Sequence, residues 1–431
     1  MTDHAASSSL PPPFPARRPS ALDTLDEAGR REYWAALALR HIRNLSSLDA
    51  AKLLRHFGSA YAALQDIAHW PEADVSTKKA EHFRDDSWRE LARPEWEAAK
   101  KLKGRIVLWP DRHYPPQLKE VDAAPALLYA DGDLSLLNAP CVAIVGSRKC
   151  SQAAQDFADI IAEDLSKSGV TVVSGLAFGI DGRAQRSALR GSGRTIAVLA
   201  GGVDIPYPAT HTELFGKVAA SGLIVSEFPP GVKPRPGYFP VRNRIISGLS
   251  LGVLVVEALD EKSGSLITAK LAAEQGRNVY VPAPDALHGL YAEGTKKLLM
   301  DGAFPIYRAS DLLADLMPHL KQALSSTPEP VRPAKEKLPE PPAPAMPDPA
   351  PDPAQPVQLT PSSSSCPNAS DDEAALLDLL QNTQLRPDDL LLAAQEKDAG
   401  WNAPRLLSTL MMLEVKGLVR RLSDSRYEVR L

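Results

Sequence analysis

Val142-Ala143-Ile144-Val145-Gly146-Ser147-Arg148-Lys149 is the stretch on which the fold turns. Four apolar residues run into a glycine, a serine and an arginine, and from Ser151 onward Ala154, Phe157, Ile160, Ile161 and Leu165 recur at helical spacing. That order spells a buried parallel strand, a tight turn and a helix start. Amide N–H groups at a helix start favour an anion, so Gly146 and Ser147 are expected to donate to one. Arg148 adds a planar fork of donors suited to phosphate. The turn has one glycine where a dinucleotide fingerprint needs three, and it lacks the Gly-x-x-x-x-Gly-Lys pattern of a P-loop. An anion site is therefore expected without an NAD or ATP cradle, and no cofactor is expected.

Outward from this turn, strands are expected at 105–109, 127–129, 142–145, 170–174, 195–199, 223–226, 253–257, 279–282 and 304–307, with helical segments between most of them. The alternation predicts an α/β fold: a Rossmann-like, doubly wound, mostly parallel sheet over residues 104–324. Ligands of such sheets sit beyond the carboxyl ends of the strands. The segments there are Gly146–Arg148, Ser174-Gly175-Leu176-Ala177-Phe178-Gly179-Ile180-Asp181, Ala200–Pro208, Phe239-Pro240-Val241-Arg242-Asn243-Arg244 and Ser263-Gly264-Ser265. They are rich in glycine and small hydroxyl residues, which let a ligand approach the backbone. Arg148, Arg242 and Arg244 are their basic groups, and Phe178 and Phe239 their aromatic ones. Arginines beside stacking aromatics are the ingredients of a groove for single-stranded nucleic acid. Read as an extended segment, 239–244 points Arg242 and Arg244 the same way, toward one strand of backbone.

The flanks differ in composition. Residues 1–25 are rich in Pro and Ser and are expected to be disordered. Residues 26–103 read as a small helical domain, with Leu48–Phe57 as one helix stopped by Gly58. Residues 325–370 are dominated by Pro, Ala, Ser and acidic residues and read as an extended linker. Residues 371–431 read as three helices and a hairpin, the pattern of a winged helix. The 431 residues carry a formal charge of −4, so any nucleic-acid affinity must be local. Three cysteines without metal or disulfide spacing, no histidine pair at zinc spacing, no apolar N-terminal core segment and no membrane-length apolar run lead to the expectation of a metal-free, cytoplasmic protein without membrane contact.

Taken in order, Val142–Arg148, Ser174-Gly-Leu-Ala-x-Gly-Ile-Asp181, Tyr207-Pro208, Phe239-Pro-x-Arg-Asn-Arg-Ile245 and Ser263-Gly-Ser-Leu-Ile-Thr268 resemble the DNA-processing protein A family, DprA or Smf, across about 170 residues. The resemblance implies a non-enzymatic, single-stranded DNA-binding recombination mediator. Such a protein protects incoming DNA, loads the RecA recombinase during natural transformation, and dimerises through its Rossmann-like domain behind an N-terminal SAM-like module. It implies DNA contacts at Gly146, Ser147, Arg148, Ser174, Gly175, Phe178, Phe239, Arg242, Asn243, Arg244, Ser263 and Gly264. The chain departs from the family pattern at Phe178, where a basic residue is usual, at Gln185, where histidine is usual, and at Pro282-Ala283, where Pro-Gly is usual. Phe178 is expected to stack on a base. The alternative is a nucleotide phosphoribohydrolase of the same fold group. Its chemistry requires a carboxylate close behind a Gly-rich turn, and the candidates are Asp181 and Glu257.

Overall fold

The computed structural model describes residues 19–84, 86–287 and 291–325, and beyond them 371–381, 385, 387–398, 401, 406, 409–410, 413, 418–421 and 427–429. These divide into two units at Leu316/Met317. The expected linker, and the N-terminus before residue 19, lie outside the described residues.

In the first unit, α1 (Glu27–His41), α2 (Ser47–Phe57), α3 (Ala60–Gln65), α4 (Glu81–Arg84) and α5 (Trp88–Ala99) precede the antiparallel pair β1 (Arg105–Leu108) and β2 (Leu127–Gly132), with the short α6 (Pro116–Lys119) between the strands. The α2 helix begins at a reciprocal capping box between Ser46 and Asp49 and ends at Gly58, whose φ of 76° any side chain would resist. Residues 19–25 are ordered, against expectation. Ala21 is buried and donates its N–H to the Leu102 carbonyl at 2.7 Å, while Leu22 sits in a 3-10 turn. A proline- and serine-rich composition therefore gives way to packing seven residues earlier than expected.

The helical module and the sheet share one continuous buried core. A polar network crosses between them. The Tyr33 and Tyr129 hydroxyls lie 2.8 Å apart, the Tyr129 hydroxyl donates to Glu95 at 2.5 Å, and Glu95 also takes Arg40 and, at 2.9 Å, His41. Burial opposes the Glu95 charge, but Arg40, His41 and Tyr129 outweigh it and hold the carboxyl below the ordinary glutamate range.

The sheet continues with β3 (Cys141–Val145), α7 (Gln152–Lys167), β4 (Thr171–Ser174), α8 (Ile180–Arg190), β5 (Thr195–Val198), α9 (Thr212–Ser221), β6 (Leu223–Ser226), α10 (Tyr238–Gly248), β7 (Gly252–Val255), α11 (Gly264–Glu274), β8 (Asn278–Pro282), α12 (Glu293–Met300), β9 (Phe304–Ile306) and α13 (Ala309–Ser325). The nine strands run in the order β1-β2-β6-β5-β4-β3-β7-β8-β9, parallel from β6 to β9. All five residues of β3 are buried, as a strand covered on both faces requires. The α7 helix packs Ala154, Phe157, Ala158, Ile161 and Leu165 inward, whereas Ile160 is 60% exposed and lies off that stripe. The chain reverses its direction across the sheet between β3 and β7, and in open parallel sheets ligands commonly sit beyond the strand ends at such a reversal.

The second unit contains α14 (Asp371–Leu380), α15 (Pro387–Lys397) and the antiparallel pair β10 (Val419–Arg421) and β11 (Tyr427–Val429), around a core that includes Leu376, Leu390, Trp401, Leu410 and Tyr427. Most of the expected third helix, 403–415, lies outside the described residues. Among the described residues no helix is long and apolar enough to cross a membrane.

Candidate nucleic-acid interface

The crevice at the β3/β7 reversal is stitched shut by the protein itself. Ser147 donates its N–H to the Glu257 carbonyl at 2.8 Å. The Glu257 side chain accepts the Ser151 N–H at 3.0 Å and the Ser151 hydroxyl at 2.8 Å, and that hydroxyl in turn receives the Ala154 N–H. The start of α7 is thus capped by a buried carboxylate, the internal counterpart of the expected phosphate. This corrects the reading of Ser147 as an amide donor to a ligand. Gly146 is fixed by packing too, because a Cβ there would fall 2.7 Å from Ile180.

Two further expectations fail for a common reason. Residues 238–248 form a helix, so Arg242 and Arg244 do not alternate along an extended rim. Arg242 is 3% exposed and donates to the carbonyls of Gly175, at 3.0 Å, and Val198. It is the counter-charge of Asp181, whose carboxylate is buried and accepts the Gly175 N–H at 3.1 Å. Burial raises the Asp181 carboxyl above its ordinary range, with Arg242 opposing; burial lowers the Arg242 guanidinium to about 10. Arg244 makes two 2.6 Å bonds to Glu227 and a third, at 2.8 Å, to the Ala123 carbonyl. Asn243 accepts Arg242 Nε at 3.2 Å. All three guanidinium nitrogens of Arg244, and Nε and Nη1 of Arg242, are bonded within the protein, so these arginines hold the loops together. Ser174 is buried with its hydroxyl on the Ile144 carbonyl, and Gly175 lies beneath Arg242, where a Cβ would meet Nη1 at 2.3 Å.

Arg148 does reach solvent. Its guanidinium lies over the Phe239 ring at 5.1 Å, and Phe239 in turn packs 5.7 Å from Tyr207. Arg148 also lines a cleft of about 550 Å³, together with Lys149, Cys150, Gln155, Phe178, Gly179, Arg183 and Arg186. Phe178 is 45% exposed there, its ring centroid 5.3 Å from that of His211 and the two rings inclined at 66°. The β3 and β4 loops that frame this cleft are clamped together: Ile180 donates to the Ser147 carbonyl, and Gly179, at φ 72°, lies where a Cβ would fall 2.1 Å from that same oxygen. Only glycine fits such an approach. Leu176, two residues before Phe178, is held at φ 55°, fully buried, with its carbonyl 3.0 Å from His211 Nδ1.

Of the residues expected from the sequence, Arg148 and Phe178 line this cleft and Phe239 lies beneath the Arg148 guanidinium, while Lys149, Arg183 and Arg186 also line it and were not expected there. The signal for the last two was present: residues 183 and 186 stand three apart on a helix and share a face. Ser263 and Gly264 form the start of α11, with the Ser263 hydroxyl and the Asp260 backbone and carboxylate bonded to each other, and they are not among the residues lining this cleft.

Comparison with known proteins agrees with this architecture. The family described as DNA recombination-mediator protein A matches residues 105–317. The DNA processing protein DprA of Bacillus subtilis is 42% identical over 206 residues, which are 48% of this chain and 69% of that protein. That of Streptococcus pneumoniae is 42% identical over 205 residues, 48% of this chain and 72% of its own length. The X-ray structure of DNA processing protein A from S. pneumoniae superposes with a TM-score of 0.55 at 32% identity, covering 66% of this chain and 97% of that one. With its motifs in order along the sheet and two thirds or more of these relatives covered, the chain belongs to the DNA processing protein A (DprA/Smf) family.

Proposed function

We propose that this protein binds single-stranded DNA at the carboxyl end of β3 and acts without catalysis as a recombination mediator, protecting incoming strands and loading RecA during natural transformation. The observation that carries the DNA reading is Arg148: an exposed guanidinium stacked on Phe239, with Phe178 open to solvent in the adjoining cleft. A guanidinium supplies charge-assisted bonds to phosphate, and exposed ring faces discriminate unpaired bases from stacked pairs.

Two features support a mediator over a phosphoribohydrolase. Glu257 is committed to the start of α7, and Asp181 to Gly175 and Arg242, so neither carboxylate is free to attack or protonate a sugar. The RecA role and the cytoplasmic setting rest on the family membership. A homodimer through the Rossmann-like domain fits the β9 edge of the sheet, where Met300, Phe304 and Tyr307 are 87%, 47% and 60% exposed. Light scattering of the full chain at micromolar concentration tests the dimer, and a monomer mass refutes it.

For the DNA site, labelled oligo-dT is titrated at stepped salt. Binding should favour oligo-dT over duplex and weaken as salt rises. Arg148→Ala should cost about 1–3 kcal/mol, or roughly 5- to 150-fold. A folded Arg148→Ala protein that binds as tightly as the parent places the DNA elsewhere.

A further inference from the structure

The cleft beside Arg148 holds more positive charge than a single phosphate contact needs. One wall is the loop after β3, with Arg148 and Lys149; the other is α8, with Arg183 and Arg186; Phe178 and Gly179 lie between the loops. The opposite face of α8 is buried through Asp181, Ala184, Gln185 and Ala188, so the helix cannot turn its arginines away. Among the described residues Arg148, Lys149 and Arg186 make no ion pair, whereas Arg183 holds Asp159 at 2.7 Å and Asp156 at 4.0 Å. Arg183 Nε is buried without a partner. Burial and the neighbouring Arg183 both pull the Arg186 guanidinium below its ordinary value. Like charges crowded into a partly dehydrated cleft repel, and an entering polyanion relieves that repulsion.

We propose that this cleft is a second subsite for single-stranded DNA, in which the strand passes from Arg148 across Phe178 to a further phosphate at Arg186 and Arg183, with Asp159 as an internal competitor for that phosphate. The inference rests on the single-stranded DNA reading above and adds a direction and residues to it. The occupant is a strand and not a free nucleotide, because the site pairs an open aromatic face with cations on two walls and lacks a Gly-rich cradle closing round one phosphate. Asp159 also accepts the Ser187 hydroxyl at 2.6 Å, so Asn at that position keeps the local bond while losing the charge that holds Arg183.

Fluorescein-labelled dT12 is titrated with full-length protein at several salt concentrations, using Arg186→Gln, Arg183→Gln and Asp159→Asn, with Arg148→Ala as reference. Arg186→Gln should bind about threefold to tenfold more weakly, with a salt slope shallower by about 0.7 for one lost single-strand contact. Asp159→Asn should bind about twofold to fivefold more tightly, because Arg183 is released to the phosphate. Parent-like binding by both arginine variants, with Arg148→Ala still weakened, overturns this subsite and leaves the Arg148 site standing. Weaker binding by Asp159→Asn overturns the competitor role and with it the proposal. Displacement of dT12 by millimolar dTMP, lost in Arg186→Gln, assigns the cleft to a mononucleotide instead. A parent protein that fails to bind dT12 overturns both readings together.

Discussion

Arg242→Ala separates a structural arginine from a DNA-binding one. The side chain runs from α10 to the ends of β4 and β5, donating to the Gly175 and Val198 carbonyls beside the buried Asp181. Truncation leaves Asp181 without its counter-charge, two carbonyls without a donor, and a void where the guanidinium lay. Stranding one buried polar group costs about 1–3 kcal/mol, so losing the donor to both carbonyls should cost about 2–6 kcal/mol. For a unit of this size each kcal/mol moves the melting midpoint by about 2–4 °C, so a fall of roughly 4–24 °C is expected. The loss should depend on pH in a defined direction. Burial already raises the Asp181 carboxyl in the folded protein, and loss of Arg242 raises it further. Above the unfolded carboxylate value, near about 3.9, the folded variant binds more protons than the unfolded chain, so its stability falls as the pH rises toward the folded value. The deficit against the parent should therefore be smaller near pH 5 than near pH 8. Arg242→Ala with Asp181→Asn should be less destabilised than the two single changes summed, since no uncompensated charge remains. Thermal melts by circular dichroism at both pH values, with an oligo-dT titration of each folded variant, decide the matter. If Arg242→Ala melts with the parent at both pH values and loses tenfold or more in DNA affinity, Arg242 reaches the DNA and its assignment as a structural residue is wrong.

Acid should act on the join between the helical module and the sheet. Glu95 is held below its ordinary range, so its contribution is present above about 4.3 and is lost as the pH falls through the lowered folded value; Glu95→Gln should flatten the dependence of stability on pH in that window, and an unchanged acid profile counts against the network. Truncation after Ser325 should leave oligo-dT affinity within about threefold, because residues 371–431 carry eleven Asp and Glu against eight Lys and Arg, and phosphate affinity needs net positive charge at the contact. A tenfold loss on truncation assigns the main DNA affinity to the C-terminal unit.

The strands and the carboxyl edge of the sheet were legible in the sequence because they are set by local pattern. Each parallel strand is a short apolar run bounded by turn residues, and burial on both sheet faces requires that run. All nine expected strands occur within two or three residues of their expected ends, and Gly58 stops α2 as expected. Arg148 was legible for the same reason, since the first residues after a buried strand emerge at the sheet edge.

The roles of the remaining site residues were not legible, and the reason is partner choice across long separations. Arginine suits a phosphate and a buried carboxylate equally well. Residue type therefore could not tell Arg148, open to solvent, from Arg242, which pairs with atoms 67 and 44 residues away, or from Arg244, closed on Glu227. Glu257 occupies the anion position at the start of α7 from 106 residues downstream. Arg183 and Arg186 line the cleft beside Arg148 only because α8 packs its other face inward. Local hydrophobic pattern determined which segments are strands and where their carboxyl ends lie. Only the tertiary fold, by bringing distant charges into one low-dielectric space, decided which of them neutralise each other and which are left for a ligand.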